Sequence, residues 1–155
     1  MKINLSFEAK QSGTELHIFS CFNKTQEVKV TKKVETKKSE KILSHSHWSA
    51  ELAESFEHSV ASKHYKGDCG EMFSITMLSG ATALIVGLGD KTKLTKEILR
   101  RQIATVYKAV SAKYEDATIH LDGFIVKGHA EESIGAMVES LHMAAYTFDR
   151  HLAVK

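Results

Sequence analysis

Several features are missing from this sequence of 155 residues, and each absence excludes a class of protein. No apolar run reaches the ~18 residues that a membrane-spanning helix needs. The opening decapeptide, MKINLSFEAK, lacks the apolar stretch of a secretory signal. Proline is absent altogether, and nothing else in the sequence accounts for that. We therefore expect a cytoplasmic protein without a membrane segment.

Cysteine is almost as scarce. The only two, Cys21 and Cys69, are too few for a disulfide framework, and their spacing fits no zinc motif. We interpret both as reduced thiols, with Cys21 facing a core from a strand. Cys69 follows a glycine turn, but no His or Asn partner that would activate it can be assigned from the sequence.

The chain also lacks a strong excess of either charge, since its net charge is +2 and its pI is about 8.5. Such a balance does not by itself indicate a nucleic-acid partner. The exception is the segment 24–41, where seven lysines alternate with Glu27, Glu35 and Glu40. It could be a basic patch that contacts phosphate or DNA, or an exposed loop with a short charged edge strand at Val28 and Val30. The glutamates and the lack of interleaved aromatic residues favour the loop.

What is present is the composition of an ordinary globular domain, 43% hydrophobic and 26% charged. Its length predicts one domain, 1–155, that can bury a core without a disulfide or a metal.

Apolar periodicity predicts strands at 3–7, 16–22, 73–77, 83–88 and 118–124. It predicts helices over about 47–64, from Thr95 onward and over 130–146. The residues of the last helix that we expect to face the core are Ile134, Met137, Val138, Leu141 and Ala145. This order predicts an α/β fold, a mixed sheet with a largely parallel centre sandwiched between helices.

The loop Gly87-Leu88-Gly89-Asp90-Lys91-Thr92 lies between a predicted buried strand and a helix, a position that suits anion binding. However, the dinucleotide pattern would need a third glycine at Thr92, and no Gly-Lys-Ser/Thr closes a P-loop. The two open interpretations are a phosphate site and a tight strand-to-helix turn, and the incomplete motif favours the turn.

Other titratable residues have ordinary explanations. His45 and His47 could form half of a metal site, but a helix entry capped by Ser46 or Ser49 explains this stretch as well. His58 and His64 lie six residues apart, on different helix faces. Glu131 and Glu132 would complement the dipole of the last helix. We therefore predict no catalytic, cofactor-binding or metal-binding residue in this chain.

Four segments in a particular order carry a family resemblance. They are Tyr65-Lys66-Gly67-Asp68, Leu84-Ile85-Val86-Gly87-Leu88-Gly89, the helix start from Thr95 to Arg100, and Ala144-Ala145-Tyr146-Thr147-Phe148-Asp149. Over residues 65–150 the chain resembles the amino-terminal domain of the leucine aminopeptidase (cytosol aminopeptidase, M17) family of metallopeptidases.

The resemblance implies a macro-domain-like fold without activity of its own. In that family the following domain binds two divalent metals, zinc, manganese or magnesium, and its signature begins Asn-Thr-Asp-Ala-Glu-Gly-Arg. The only asparagines here, Asn4 and Asn23, do not begin that signature.

The implied partners are the chain's own catalytic domain and further copies in a homohexamer, and peptides would be the parent's substrates. The implied roles are assembly and shaping of access to the active site. The alternative is a macro-like module that binds ADP-ribose or another phosphate ligand.

Overall fold

The structure is a computed structural model that describes residues 2–6, 15–26, 38–43, 48–62 and 65–146, with side chains described over 15–23, 48–62 and 65–146. Its strands are β1 (Lys2–Ser6), β2 (Leu16–Gln26), β3 (Lys38–Leu43), β4 (Met72–Thr76), β5 (Thr82–Asp90) and β6 (Asp116–His120). Its helices are α1 (Ala50–Ala61), α2 (Lys96–Val110) and α3 (Ala130–Ala145).

The six strands form one mixed sheet, in which five follow the order β1-β6-β2-β5-β4 and β3 pairs with β2 off this path. The pairs β1–β6, β6–β2 and β2–β5 are parallel, and β4 closes one end antiparallel to β5. Strand β3 pairs antiparallel with the far half of β2, beyond the three β2 residues that pair with β6. The predicted α/β fold with a largely parallel centre is thereby confirmed.

The centre of the sheet is built from strands that are apolar on both faces. In β2, Leu16, Ile18 and Phe22 pack into one core with α2, while Phe19 and Cys21 pack into a second core with α1. Strand β5 divides in the same way, with Leu84 and Val86 on the α2 side. Because both faces of these strands are covered, apolar residues occur on both faces, as is general for parallel central strands.

Of the described helices, α1 is the one that packs into the second core, on the face of the sheet opposite α2. Ser49 caps it by accepting a hydrogen bond from the amide of Leu52 at 3.2 Å, which selects one of the two predicted caps. Leu52 and Phe56 are its buried residues. The helix is shorter than the predicted 47–64.

Helix α3 packs chiefly against α2, and the predicted inward face was partly wrong. Its buried residues are Ser133, Ala136, Met137 and Ser140, whereas Ala145 is exposed. Small residues allow the two helices to approach closely, and the Ser140 hydroxyl donates to the carbonyl of Arg100 at 2.6 Å. A polar side chain therefore replaces an apolar contact at this crossing.

Two predicted elements differ in the structure. The strand expected over 118–124 ends at His120, and a single 3-10 turn follows with Leu121 and Phe124 buried. The loop expected over the charged segment is wrong for residues 24–26 and 38–41, which form the β2–β3 ladder. Backbone pairing with β2 stabilises β3 there without an apolar alternation. The strand predicted at Val28 and Val30 lies outside the described residues.

Candidate functional site

The turn over residues 65–71 lies against the carboxyl ends of β2 and β5. The amide of Gly70 donates to the carbonyl of Gly87 at 3.0 Å, and the amide of Gly87 donates to the carbonyl of Glu71 at 2.8 Å. The Glu71 carboxylate accepts hydrogen bonds from the amides of Lys66 and Asp68 and so closes the turn on itself. The turn thus extends the hydrogen bonding between β4 and β5 and brings the chain close to β2.

Glycines make this close approach possible. A Cβ on Gly87 would lie 2.2 Å from the carbonyl oxygen of Asp68, and a Cβ on Gly67 would lie 2.9 Å from both Cys21 Sγ and Asn23 Oδ1. Gly67 also has a φ of +67°, which side chains with a Cβ rarely adopt. The glycine at the predicted loop therefore serves close packing between the strand and a turn that precedes it by almost twenty residues.

Where the turn meets β2, the Cys21 thiol and the Tyr65 hydroxyl are 3.2 Å apart and buried. Burial raises the pKa of the Tyr65 phenol, and the neighbouring Cys21 raises it further. The phenol is therefore neutral at physiological pH, and the pair acts as a buried hydrogen bond. Cys21 faces the core as predicted, and neither cysteine is in a disulfide.

In the loop for which the sequence left a phosphate site and a tight turn open, the Asp90 side chain contacts Thr92. Its Oδ1 accepts hydrogen bonds from the amide and the hydroxyl of Thr92, at 2.9 and 2.7 Å. These hydrogen bonds lower the pKa of Asp90, so an ionised carboxylate engages the Thr92 amide at neutral pH. The Lys91 amine lies over the ring of Phe22, 5.4 Å from its centroid. This geometry favours the turn over the phosphate site.

The acidic pair that opens α3 has a structural partner. Glu132 forms an ion pair with Lys96 at the start of α2, and its second oxygen lies 3.4 Å from His129 Nδ1. The Lys96 hydrogen bond lowers the pKa of Glu132. These contacts tie the amino-terminal ends of α2 and α3 together, and nothing catalytic is needed to explain them.

A histidine pair that the sequence did not predict lies on the α1 face of the sheet. His17 Nδ1 and His120 Nε2 are 3.3 Å apart, although 103 residues separate them in the chain. The His120 ring stacks on Phe19 with a centroid distance of 4.2 Å and an interplanar angle of 11°. Each histidine interrupts an apolar strand pattern, and this interruption is visible in the sequence. Only the order of the strands in the sheet shows that the two residues meet.

Burial lowers the pKa of His17 below its ordinary value of 6.5, and this predicts loss of stability in acid. Above pH 6.5 the imidazole is neutral in the folded and unfolded chains, so its contribution is fully present. As the pH falls below 6.5 towards the folded-state pKa, only the unfolded chain gains the proton. We expect a loss of up to about 1.4 kcal/mol per pH unit from this residue.

Urea unfolding at pH 7.5 and pH 5.5 measures this effect. His17→Gln should lose less stability between the two pH values than the wild type, while the exposed His58→Gln should behave as the wild type does. Equal acid losses in His17→Gln and in the wild type would contradict the assignment.

The remaining histidine predictions fall largely on residues that are not described. His45, His47 and His64 lie outside the described residues, as does most of the lysine-rich segment. Within the described ranges, no group of three or more His, Cys, Asp or Glu side chains could hold a metal ion. No helix in those same ranges is long and apolar enough to cross a bilayer.

The outer face of α2 and α3 is a groove of about 420 Å³. Arg100 pairs with Glu139 at 2.8 Å across the two helices, and Arg101 pairs with Glu97 at 2.9 Å along α2. Met143 is 76% exposed beside these pairs. The groove combines an exposed apolar side chain with a charged rim, the usual composition of a protein interaction surface.

Comparisons with known proteins point to one family. The family model described as the cytosol aminopeptidase family, N-terminal domain, matches residues 23–155. A probable cytosol aminopeptidase of Clostridium perfringens is 29% identical over 97 residues, which cover 60% of this chain and 20% of that protein. One of Alkaliphilus oremlandii is 33% identical over 100 residues, 59% of this chain and 19% of that protein. The chain spans about a fifth of the length of the curated relatives it matches.

A solved structure has the same fold. The bottromycin maturation enzyme BotP superposes with a TM-score of 0.56 at 15% identity, over 92% of this chain and 26% of BotP. At that identity the likeness shows the fold alone. The family model, in contrast, covers most of the sequence, and the chain therefore belongs to the cytosol aminopeptidase family, of which it contains the amino-terminal domain.

Proposed function

We infer that this chain is the non-catalytic amino-terminal domain of a cytosolic leucine aminopeptidase. The parent protein would remove amino-terminal residues from peptides in a metal-dependent reaction. The observation that carries the inference is the match of residues 23–155 to that domain, in a chain that spans only about a fifth of its curated relatives. The domain would serve assembly of a homo-oligomer, a hexamer in the family, and would shape access to the active site.

In this proposal the two divalent metals, zinc or manganese, belong to the catalytic domain. The donor sets in the described part of this chain do not fit them. His17 and His120 are only two ligands, and Glu132 is engaged with Lys96. In this proposal the chain's own residues position surfaces, and the steps of peptide hydrolysis fall to the catalytic domain.

The groove between α2 and α3 supports an assembly role. Met143 exposes an apolar side chain there, next to charges that are already paired along and across the helices. Covering this part of the groove would leave neither Arg100 nor Arg101 as an unpaired ion, which is the costly case. We assign a neighbouring protein domain as the partner that covers this groove.

The purified chain is expected to leave leucine p-nitroanilide intact in the presence of manganese or zinc. The reason is that it would hold neither the metals nor the catalytic side chains of its parent. The assay measures release of p-nitroaniline, with the Clostridium perfringens relative as the positive control in the same buffers. Robust hydrolysis by this chain that follows its concentration would overturn the proposal. The intact mass of the endogenous protein, measured in parallel, reports whether a catalytic domain accompanies it.

A further inference from the structure

We propose that the outer edge of β4 pairs antiparallel with the same edge of a second copy of this chain, which joins two sheets into one. The proposal rests on the assembly function inferred above and names a second surface, besides the groove, that contributes to it. Its partner is a second copy, and the contact is main-chain hydrogen bonding between two Met72–Thr76 strands.

Among the residues that the structure describes, the hydrogen-bond pattern leaves one edge of β4 open. Gly87 donates to the carbonyl of Glu71, and Met77 donates to the carbonyl of Ala81, so the odd-numbered residues of β4 bond to β5. In an antiparallel pair the intervening residues point their N–H and C=O groups the other way. These are Met72, Ser74 and Thr76, and no hydrogen bond from the described part of the chain reaches their main-chain groups on that side.

Over Met72–Thr76 this edge also lacks the features with which proteins protect open edges. Those features are charged side chains, proline and bulges. Strand β4 reads Met-Phe-Ser-Ile-Thr, without a charge, and its register with β5 is unbroken. Strand β3, in contrast, carries Lys38, Glu40 and Lys41. The residues of β4 also favour extended structure, since they include an aromatic and two β-branched side chains.

The strand is complementary to itself about a twofold axis at Ser74. Antiparallel pairing places Ser74 opposite Ser74 of the second copy and Met72 opposite Thr76, and each pair exchanges two hydrogen bonds, about six in total. On the α1 face, Phe73 comes opposite Ile75 of the second copy. Both are half-buried in each chain, and an aromatic residue opposite a β-branched one is a favourable cross-strand pair.

A second observation points to the same edge. Leu78 lies two residues beyond β4 and is 94% exposed, the highest value among the large hydrophobic residues described. Its amide points outward as the pattern requires and donates to Glu51 Oε1 at 2.7 Å. In the paired form Leu78 comes next to the residues that precede β4 of the second copy, where contact with the other chain shields it from water.

Sedimentation equilibrium of the 155-residue chain from micromolar to millimolar concentration tests the proposal. We expect a reversible monomer–dimer equilibrium. Ser74→Lys should weaken it by about five- to tenfold, because two like charges would face each other across the twofold axis. Thr105→Lys, which adds the same charge at an exposed position of α2, should leave it unchanged. An equimolar mixture of Ser74→Lys and Ser74→Glu should restore dimers.

A cross-linking experiment reads the register directly. In a Cys69→Ser background, Ser74→Cys should form an intermolecular disulfide under mild oxidation, because paired Cα atoms lie about 5.5 Å apart in this register. Thr105→Cys in the same background should not. A wild type that stays monomeric up to millimolar concentration, or Ser74→Lys and Thr105→Lys dimers of equal affinity, would overturn the proposal. The molecular masses from sedimentation do not depend on peptide hydrolysis. A failure of this proposal can therefore be distinguished from a failure of the proposed function.

Discussion

Gly87→Ala is expected to lower the free energy of unfolding by about 3 kcal/mol, near the upper end for an overpacked site. The new Cβ would lie 2.2 Å from the carbonyl oxygen of Asp68 and 2.8 Å from the carbonyl carbon of Gly67. Both are main-chain atoms in a turn that hydrogen bonds hold against β5, so no flexible side chain can move aside. For a chain of this size, the loss corresponds to a fall in Tm of about 6–12 °C.

Thermal unfolding followed by circular dichroism measures this loss. Gly135→Ala is the matched control, since nothing lies within 4 Å of its added Cβ and the residue is within α3. Because alanine favours helix over glycine by about 1 kcal/mol, this control should be as stable as the wild type or more so. A Gly87→Ala protein within about 0.5 kcal/mol of the wild type would show that the turn can move, contrary to the packing described.

Phe56→Ala is expected to cost about 4 kcal/mol, the usual range for removing a buried aromatic ring being about 3–5 kcal/mol. Phe56 is 1% exposed and meets the rings of Trp48 and Tyr65 edge-on, with centroid distances of 5.2 and 5.6 Å. Since Leu52 and Phe56 are the buried residues of α1, the loss falls on the contact that holds this helix to the sheet.

The intrinsic fluorescence of this protein reports that contact, because Trp48 is its only tryptophan. Phe56→Ala should shift the Trp48 emission to longer wavelength and lower the urea midpoint. The exposed neighbour Glu57→Ala should change stability by no more than about 0.5 kcal/mol. If Phe56→Ala keeps both the wild-type emission and the wild-type midpoint, α1 is held by contacts other than this ring.

Elements with strong local signals were predicted well. Helix α2 begins after Thr95, whose side chain accepts from the amide of Ile98, and it buries Leu99 and Ile103 as the periodicity required. Strand β5 was recognised from an uninterrupted apolar run. Both signals depend only on neighbours in the chain, because a cap and an apolar face are properties of one segment.

Elements that depend on distant partners were missed. Strand β3 has no apolar alternation and exists through its pairing with β2. The strand predicted over 118–124 stops at His120, because the apolar residues that follow are buried from a 3-10 turn. Periodicity describes which residues avoid water, but it does not distinguish between the backbone conformations that can bury them.

Local periodicity was therefore enough to predict an α/β fold with a parallel centre, and the ordered motifs were enough to suggest the family. Only the tertiary structure brought His17 to His120, placed the 65–71 turn against Gly87 and joined Ser140 to the carbonyl of Arg100. The physical reason is that these contacts join segments that lie far apart along the chain. Strand order and helix crossing decide which of them meet, and a pattern within one segment carries no information about either.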